Sequence, residues 1–279
     1  MNLFKKLLSK KGASEAPVSA QLLFDTHCHF NDVVFDNDRD SLMNLASQVG
    51  VKGMLLPGTT KESWRKIRQL SSLHKPLHCA LGLHPFFVEI HQKNDLRSLE
   101  LAVATPPISA IGEIGLDFQV KELDKQKQVV FFRSQLQIAN VAHLPVVLHV
   151  RKAHDEVLKH LRIINFRFGG FVHAFNGSME QAKRYIDFGF KLGFGGAMTY
   201  PRAVKLRSLA SELPLNSIVV ETDAPDMKPI TCQGNRNTPI HLVDNFKTLC
   251  ELRHETPSKI SQQTTENACQ ILDINIGDL

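Results

Sequence analysis

Along the chain, short apolar runs rich in β-branched residues alternate with longer stretches whose apolar positions recur at helical spacing. Eight short runs predict strands, at residues 22–27, 51–56, 78–83, 108–114, 145–150, 170–174, 190–193 and 217–221. Most are apolar at nearly every position, without the alternation of a sheet that has one wet face. That is the pattern of parallel strands buried on both sides. The stretches between them predict helices, among them 38–49, 61–72, 124–142, 153–164, 178–188 and 202–213, and 238–253 and 257–272 follow the last strand. Capping residues mark some starts: Ser178 precedes one amphipathic run, and Thr59 and Thr60 precede another. Eight strands alternating with helices predict a (β/α)8 TIM barrel. An open, doubly wound sheet is the alternative, and the lack of a GxGxxG or GxxxxGK(S/T) phosphate loop counts against it.

The length of 279 residues suits a single barrel, since such domains run to about 250 residues. No repeat or low-complexity linker divides residues 21–279, so one domain is expected there. No apolar run approaches the roughly 20 residues of a membrane span. The net charge of +5 is unevenly placed: Lys5, Lys6, Lys10 and Lys11 face only Glu15 in the first twenty residues. Residues 1–20 read as a flexible basic extension, or as an amphipathic surface helix with Leu3, Phe4, Leu7 and Leu8 on one side. The lysines interrupt the apolar stretch that a signal peptide needs. The remaining charge is too small to argue for nucleic-acid binding without a local basic patch. Five widely spaced cysteines with no CxxC fit reduced thiols of a cytoplasmic protein.

Metal-ligand residue types finish the apolar runs. The first ends Asp25-Thr26-His27-Cys28-His29; in an extended segment His27 and His29 face the same way, with Cys28 turned into packing. Asp25 is placed to orient one imidazole through its other ring nitrogen. The fourth ends Gly112-Glu113-Ile114-Gly115-Leu116-Asp117, and a glutamate within an apolar strand is costly unless a cation pairs with it. His149-Val150-Arg151, His173-Ala174-Phe175 and Glu221-Thr222-Asp223 finish the fifth, sixth and eighth runs. A single strand histidine is more often a hydrogen-bonded core residue than a ligand. Recurrence at five strand ends points to a metal centre at the mouth where barrel enzymes keep their catalytic groups. His84, ending the third run, has no ligand partner near it in sequence; it is a candidate for substrate, for an extra metal or for structure.

The order Asp25-x-His27-x-His29, GLHP, GEIGLD, HVR, VHAFNGS and ETDAP resembles the TatD family of metal-dependent hydrolases. The resemblance runs from about residue 22 to the C-terminus, and ETDAPDMKP followed by QGNRN is most similar to its YjjV-like bacterial branch. It implies a TIM barrel holding two divalent ions, Zn, Mn or Mg. His27, His29, Glu113 and Asp223 would hold the first, and Glu113, His149 and His173 the second. Glu113 and Asp223 would be catalytic, with His84, Arg151, Asn176 and Ser178 against the substrate. Two departures touch the substrate side. Phe86 and Phe87 stand where many relatives have a second histidine after GxHP, and Ala174-Phe175-Asn176-Gly177 replaces Cys-Phe-Ser-Gly.

The implied chemistry is hydrolysis by a metal-activated water. A phosphodiesterase or 3′–5′ exonuclease acting on DNA or RNA leads. Alternatives are an ester or amide hydrolase such as an aminoacyl-tRNA deacylase, a small-molecule phosphodiesterase, and a non-catalytic protein that keeps metals structurally. Arg151, Arg202, Arg236 and Lys228 are candidates for phosphate contact; Phe175 and Phe86 are candidates for base stacking, although packing is the commoner use of a phenylalanine.

Overall fold

The computed structural model describes residues 21–279; the expected basic extension over 1–20 lies outside the described residues. Eight parallel strands hydrogen-bond in chain order: β1 (Leu23–Asp25), β2 (Val51–Pro57), β3 (Leu77–Leu81), β4 (Ala110–Asp117), β5 (Val146–Arg151), β6 (Gly170–Val172), β7 (Phe190–Phe194) and β8 (Ile218–Val220). The helices around them are α1 (Arg39–Gln48), α2 (Lys61–Leu73), α3 (Lys93–Val103), α4 (Lys125–Ala142), α5 (His154–Ile164), α6 (Met179–Asp187), α7 (Val204–Glu212), α8 (Leu242–Leu252) and α9 (Pro257–Leu272). The fold is the expected TIM barrel. Helix α3 adds to the helices named from periodicity; it packs Leu99 fully and Leu96, Ala102 and Val103 partly against the core.

Each strand is apolar on both sides because it has two apolar neighbours. Outward residues such as Leu23, Leu56, Leu81 and Leu148 pack on the helices. Phe24, Leu55, Ala80, Ala110, Val147, Phe171 and Val219, one from each of seven strands, gather into a separate inner cluster with Ala268 and Leu272 of α9. That helix thereby closes the N-terminal end of the barrel.

Seven of the strand pairings are parallel ladders, with register breaks in β1–β2 between Leu23 and Phe24 and in β4–β5 between Ile111 and Ile114. The seam between β8 and β1 is held differently. Thr26 donates its backbone N–H and its hydroxyl to the Val220 carbonyl, and Asp223 N–H donates to the His27 carbonyl at 2.8 Å. The buried Asp25 carboxylate accepts the Thr222 N–H at 2.9 Å and the Thr222 hydroxyl at 2.6 Å. This corrects the sequence expectation: Asp25 stitches the seam and touches no imidazole ring. Arg236 closes the same side above. Its guanidinium lies 4.8 Å over the Phe35 ring and bonds the Val34 carbonyl and the Asp38 carboxylate. It is thereby committed to joining two loops, not to a phosphate.

His78, in β3, tests the apolar interior. Its ring centroid is 5.4 Å from that of Phe24, and its Nε2 is buried without a hydrogen-bond partner. Burial pushes its pKa from 6.5 down to about 4. The unfolded chain therefore takes up this proton first as pH falls. The contribution to stability is whole above pH 6.5 and is lost between pH 6.5 and 4, about 3 kcal/mol in all. His78→Leu should flatten that part of the stability–pH curve in denaturant melts; a variant curve parallel to the parent's would show that His78 is not responsible.

Candidate metal centre

At the C-terminal mouth, segments at the ends of six strands, β1, β3, β4, β5, β6 and β8, bring ligand atoms together. Strand β1 stops at Asp25, earlier than the sequence predicts, so His27 and His29 lie in the turn beyond it and not on a strand face. They converge nonetheless, with their Nε2 atoms 3.3 Å apart. Backbone bonds hold the turn: Cys28 N–H donates to Leu55 O and His29 N–H to Ala224 O. The Cys28 thiol is buried, as expected.

Glu113 sits in β4, where the register with β5 breaks between Ile111 and Ile114. Three steps on β4 against two on β5 make a bulge, a device that re-aims a side chain. The neighbouring chain comes so close that a Cβ on Gly82 would meet the Gly112 carbonyl carbon at 2.6 Å, so the GLHP glycine is a steric requirement. Glu113 Oε2 lies 3.2 Å from His27 Nε2 and 3.7 Å from His29 Nε2; Oε1 lies 3.0 Å from His149 Nδ1 and 3.3 Å from His84 Nε2. One buried carboxylate thus touches four imidazoles.

Asp223 follows β8 in the left-handed region, φ 56°, which turns its carboxylate back over the mouth; aspartate is among the few side chains that tolerate this backbone. Its Oδ1 is 3.6 Å from His27 Nε2 and 3.5 Å from His29 Nε2, and Oδ2 is 3.5 Å from His173 Nε2. The His173 and His27 rings stack at 3.6 Å. On its other side His173 Nδ1 is 2.9 Å from Glu221 Oε1. A Cβ on Gly193 would overlap the Glu221 carboxylate, so β7 carries glycine there. His149 Nε2 is likewise 3.3 Å from Asp117 Oδ2, which Arg151 also touches. Glu221 and Asp117 serve as orienting carboxylates, the role expected of Asp25. The signal was present in ETDAP and GEIGLD, where each is the extra acid.

The donor set fits divalent ions. Ligand atoms on a tetrahedral ion at roughly 2.0–2.2 Å stand about 3.3–3.6 Å apart. The contacts among His27, His29, Glu113 and Asp223 run from 3.2 to 3.7 Å. Three triplets have ligand atoms within 4.8 Å of one another: His27–His29–Asp223, His27–Glu113–His173 and His84–Glu113–His149. His149 is therefore grouped with His84, not with the His173 that the resemblance pairs it with on one ion.

The electrostatics match. Burial works to raise Asp223 and Glu113, but the surrounding imidazoles outweigh it, holding Asp223 at about 2 and Glu113 well below the usual carboxylate range. Burial opposes charge on His173 and His149, yet their carboxylate neighbours raise both. Burial and the adjacent His173 lower His27, and burial lowers His84 to about 4. The carboxylates that raise His173 and His149 would equally attract cations.

The cluster floors a cavity of about 690 Å³ whose walls include Arg151, Asn176, Phe86, Phe87 and Met227. Arg151 is half-exposed at the wall. Asn176 is tied up holding its loop, with Oδ1 3.1 Å from His154 Nε2 and Nδ2 donating to the Val150 and Ala174 carbonyls. Ser178 does not line this cavity; it caps α6 by accepting the Gln181 N–H. Phe175 is buried packing, Arg202 lies over the Tyr200 ring and Lys228 donates to the Gly234 carbonyl.

Residues 24–273 match the family model described as TatD related DNase. The chain belongs to the TatD family. Among TatD relatives, it is 38% identical to the uncharacterized metal-dependent hydrolase YjjV of Escherichia coli K12, over 90% of this chain and 97% of that one. The crystal structure of YjjV superposes with a TM-score of 0.88 over 91% of this chain and 98% of that one. An uncharacterized metal-dependent hydrolase of Haemophilus influenzae is 40% identical over 89% of this chain and 98% of its own length. The 3′-5′ ssDNA/RNA exonuclease TatD of Erwinia billingiae is 31% identical over 88% and 97%. This chain is accordingly a metal-dependent hydrolase of the TatD family, with no helix among the described residues long and apolar enough to cross a membrane.

Metal binding should displace the protons of His149 and His173. Calorimetry in buffers of differing ionisation enthalpy should show proton release, and affinity should rise with pH as these imidazoles lose their protons; a pH-independent affinity would contradict the ligand assignment. Glu113→Ala, checked for folding by circular dichroism, should lose bound metal and activity together. Retention of the parent metal stoichiometry would remove Glu113 from its central place.

Proposed function

We propose that this chain is a phosphodiesterase that trims single-stranded DNA or RNA from the 3′ end, using two divalent ions (Zn, Mn or Mg) held on one barrel domain formed by residues 21–279. The observation that carries the reading is the pairing of the ligand cluster with a half-exposed guanidinium, Arg151, on the wall of the same cavity. The nuclease named among the relatives supports it. His27, His29, Glu113 and Asp223 hold one ion, and Glu113 and His149 hold the other with His173 or His84. When bound, such ions supply the Lewis acidity that activates water and polarises the scissile bond.

The protein groups do the rest. Arg151, positioned by Asp117 at 3.2 Å, presents two-pronged donors to a phosphate oxygen. Asp223 is ionised at neutral pH and faces the cavity, so its carboxylate orients the attacking water and accepts its proton. His173 backs that carboxylate 3.5 Å from Oδ2. The five free cysteines are in keeping with a cytoplasmic setting.

With Mn²⁺ or Mg²⁺ the purified protein should shorten 3′-ends of single-stranded DNA in gel assays. Arg151→Ala should raise KM about 10- to 100-fold, as loss of a charge-assisted contact does, with metal content unchanged. Asp223→Asn, which tolerates the same backbone, should lower kcat by about 10²–10⁴. Hydrolysis of ester or aminoacyl substrates with none of phosphodiesters would reassign the chain to carbonyl chemistry.

A further inference from the structure

Large apolar side chains stand exposed at the rim of the cavity. Phe86 is 49% and Phe87 37% exposed, their rings meeting edge to face with centroids 5.3 Å apart, and Met227 on another part of the lining is 38% exposed. Exposed aromatic surface gathered at a concave site is the usual mark of a binding surface. Neither ring is a mobile ornament. Pro85, Phe86 and Phe87 form a 3-10 turn whose start is fixed by the preceding histidine: Phe86 N–H donates to His84 Nδ1 at 3.0 Å. The same imidazole points its Nε2 at Glu113, 3.3 Å away, and the Phe87 ring lies 6.1 Å from it in an edge contact. Two phenylalanines are therefore held one imidazole away from the reacting end of the cavity.

Resting on the phosphodiesterase reading above, we propose that Phe86 and Phe87 are the stacking platform for a nucleobase of the strand being cut, and so select substrates that carry a base beside the scissile phosphate. The chemistry of the cavity favours a nucleotide over a purely apolar occupant. Its floor is a carboxylate–imidazole cluster built for cations, Arg151 lines its wall, and Phe86 and Phe87 add exposed flat apolar surface to the same lining. A nucleotide has that arrangement, an anionic phosphate joined to a flat ring. Stacking on an aromatic face accepts any base because every base has a π-face. Phe175, the other aromatic candidate in this region, is buried and offers no face.

The experiment compares single-stranded DNA ending in a normal 3′ nucleotide with the same strand ending in an abasic one, using the metal-loaded full chain. The parent should favour the base-bearing strand in kcat/KM by about 5- to 150-fold, the range that loss of one base–aromatic stack gives, chiefly through KM. Phe86→Ala should collapse that ratio toward one with metal content retained. Phe86→Trp should keep it, while Phe86→Leu, apolar but without a flat face, should lose it. Equal cutting of both strands by the parent, or a full ratio in Phe86→Leu, would overturn the platform and leave the phosphodiesterase reading standing. Failure to cut either strand would remove both.

Discussion

A surplus of buried negative charge governs this molecule. Glu113, Glu221, Asp117 and Asp223 crowd one end of the barrel, and Asp25 lies just beneath. Isolated carboxylates in such a place would cost far more than a domain's net stability. Among the ion pairs of the described residues at this end of the barrel, only Arg151 brings a permanent cation, and it reaches only Asp117. The titratable partners of Glu113 and Asp223 are imidazoles, which can be neutral, protonated or ligands. That choice of partner keeps the site open to divalent cations; lysines in the same positions would neutralise it permanently.

The scaffold yields to this requirement at identifiable points. A bulge in β4 aims Glu113, glycines 82 and 193 remove Cβ atoms where the chain or a carboxylate must pass, and Asp223 accepts a left-handed backbone to look back over the mouth. Each is a local departure from regular strand geometry, concentrated at the ends of strands where function sits and paid for by the regular ladders and inner cluster below.

How much of this is readable in the sequence follows from what each feature depends on. The barrel is legible because burial on both faces writes itself into every strand, as in residues 51–56. Helix α3 is less so, because of its apolar residues only Leu99 is fully buried, while Leu96, Ala102 and Val103 are partly so. The residues of the cluster stand out because polar side chains ending apolar runs are rare. Their division among contacts is hidden, since it depends on register and rotamer: His84 joins Glu113 and His149, while Glu221 and Asp117 take the supporting place that sequence proximity suggested for Asp25. Arg236 shows the same limit, a cation near the mouth by sequence whose partner proved to be Asp38.

The seam between the last and first strands has a mechanical meaning. His27 and His29 lie on one side of it and Asp223 on the other, and only side-chain stitches and scattered backbone bonds join the two. A cation held by all three would act as a rivet across the least reinforced join of the barrel. Catalytic cofactor and closing bolt would then be the same atom, added to a seam that the Asp25–Thr222 stitches already hold.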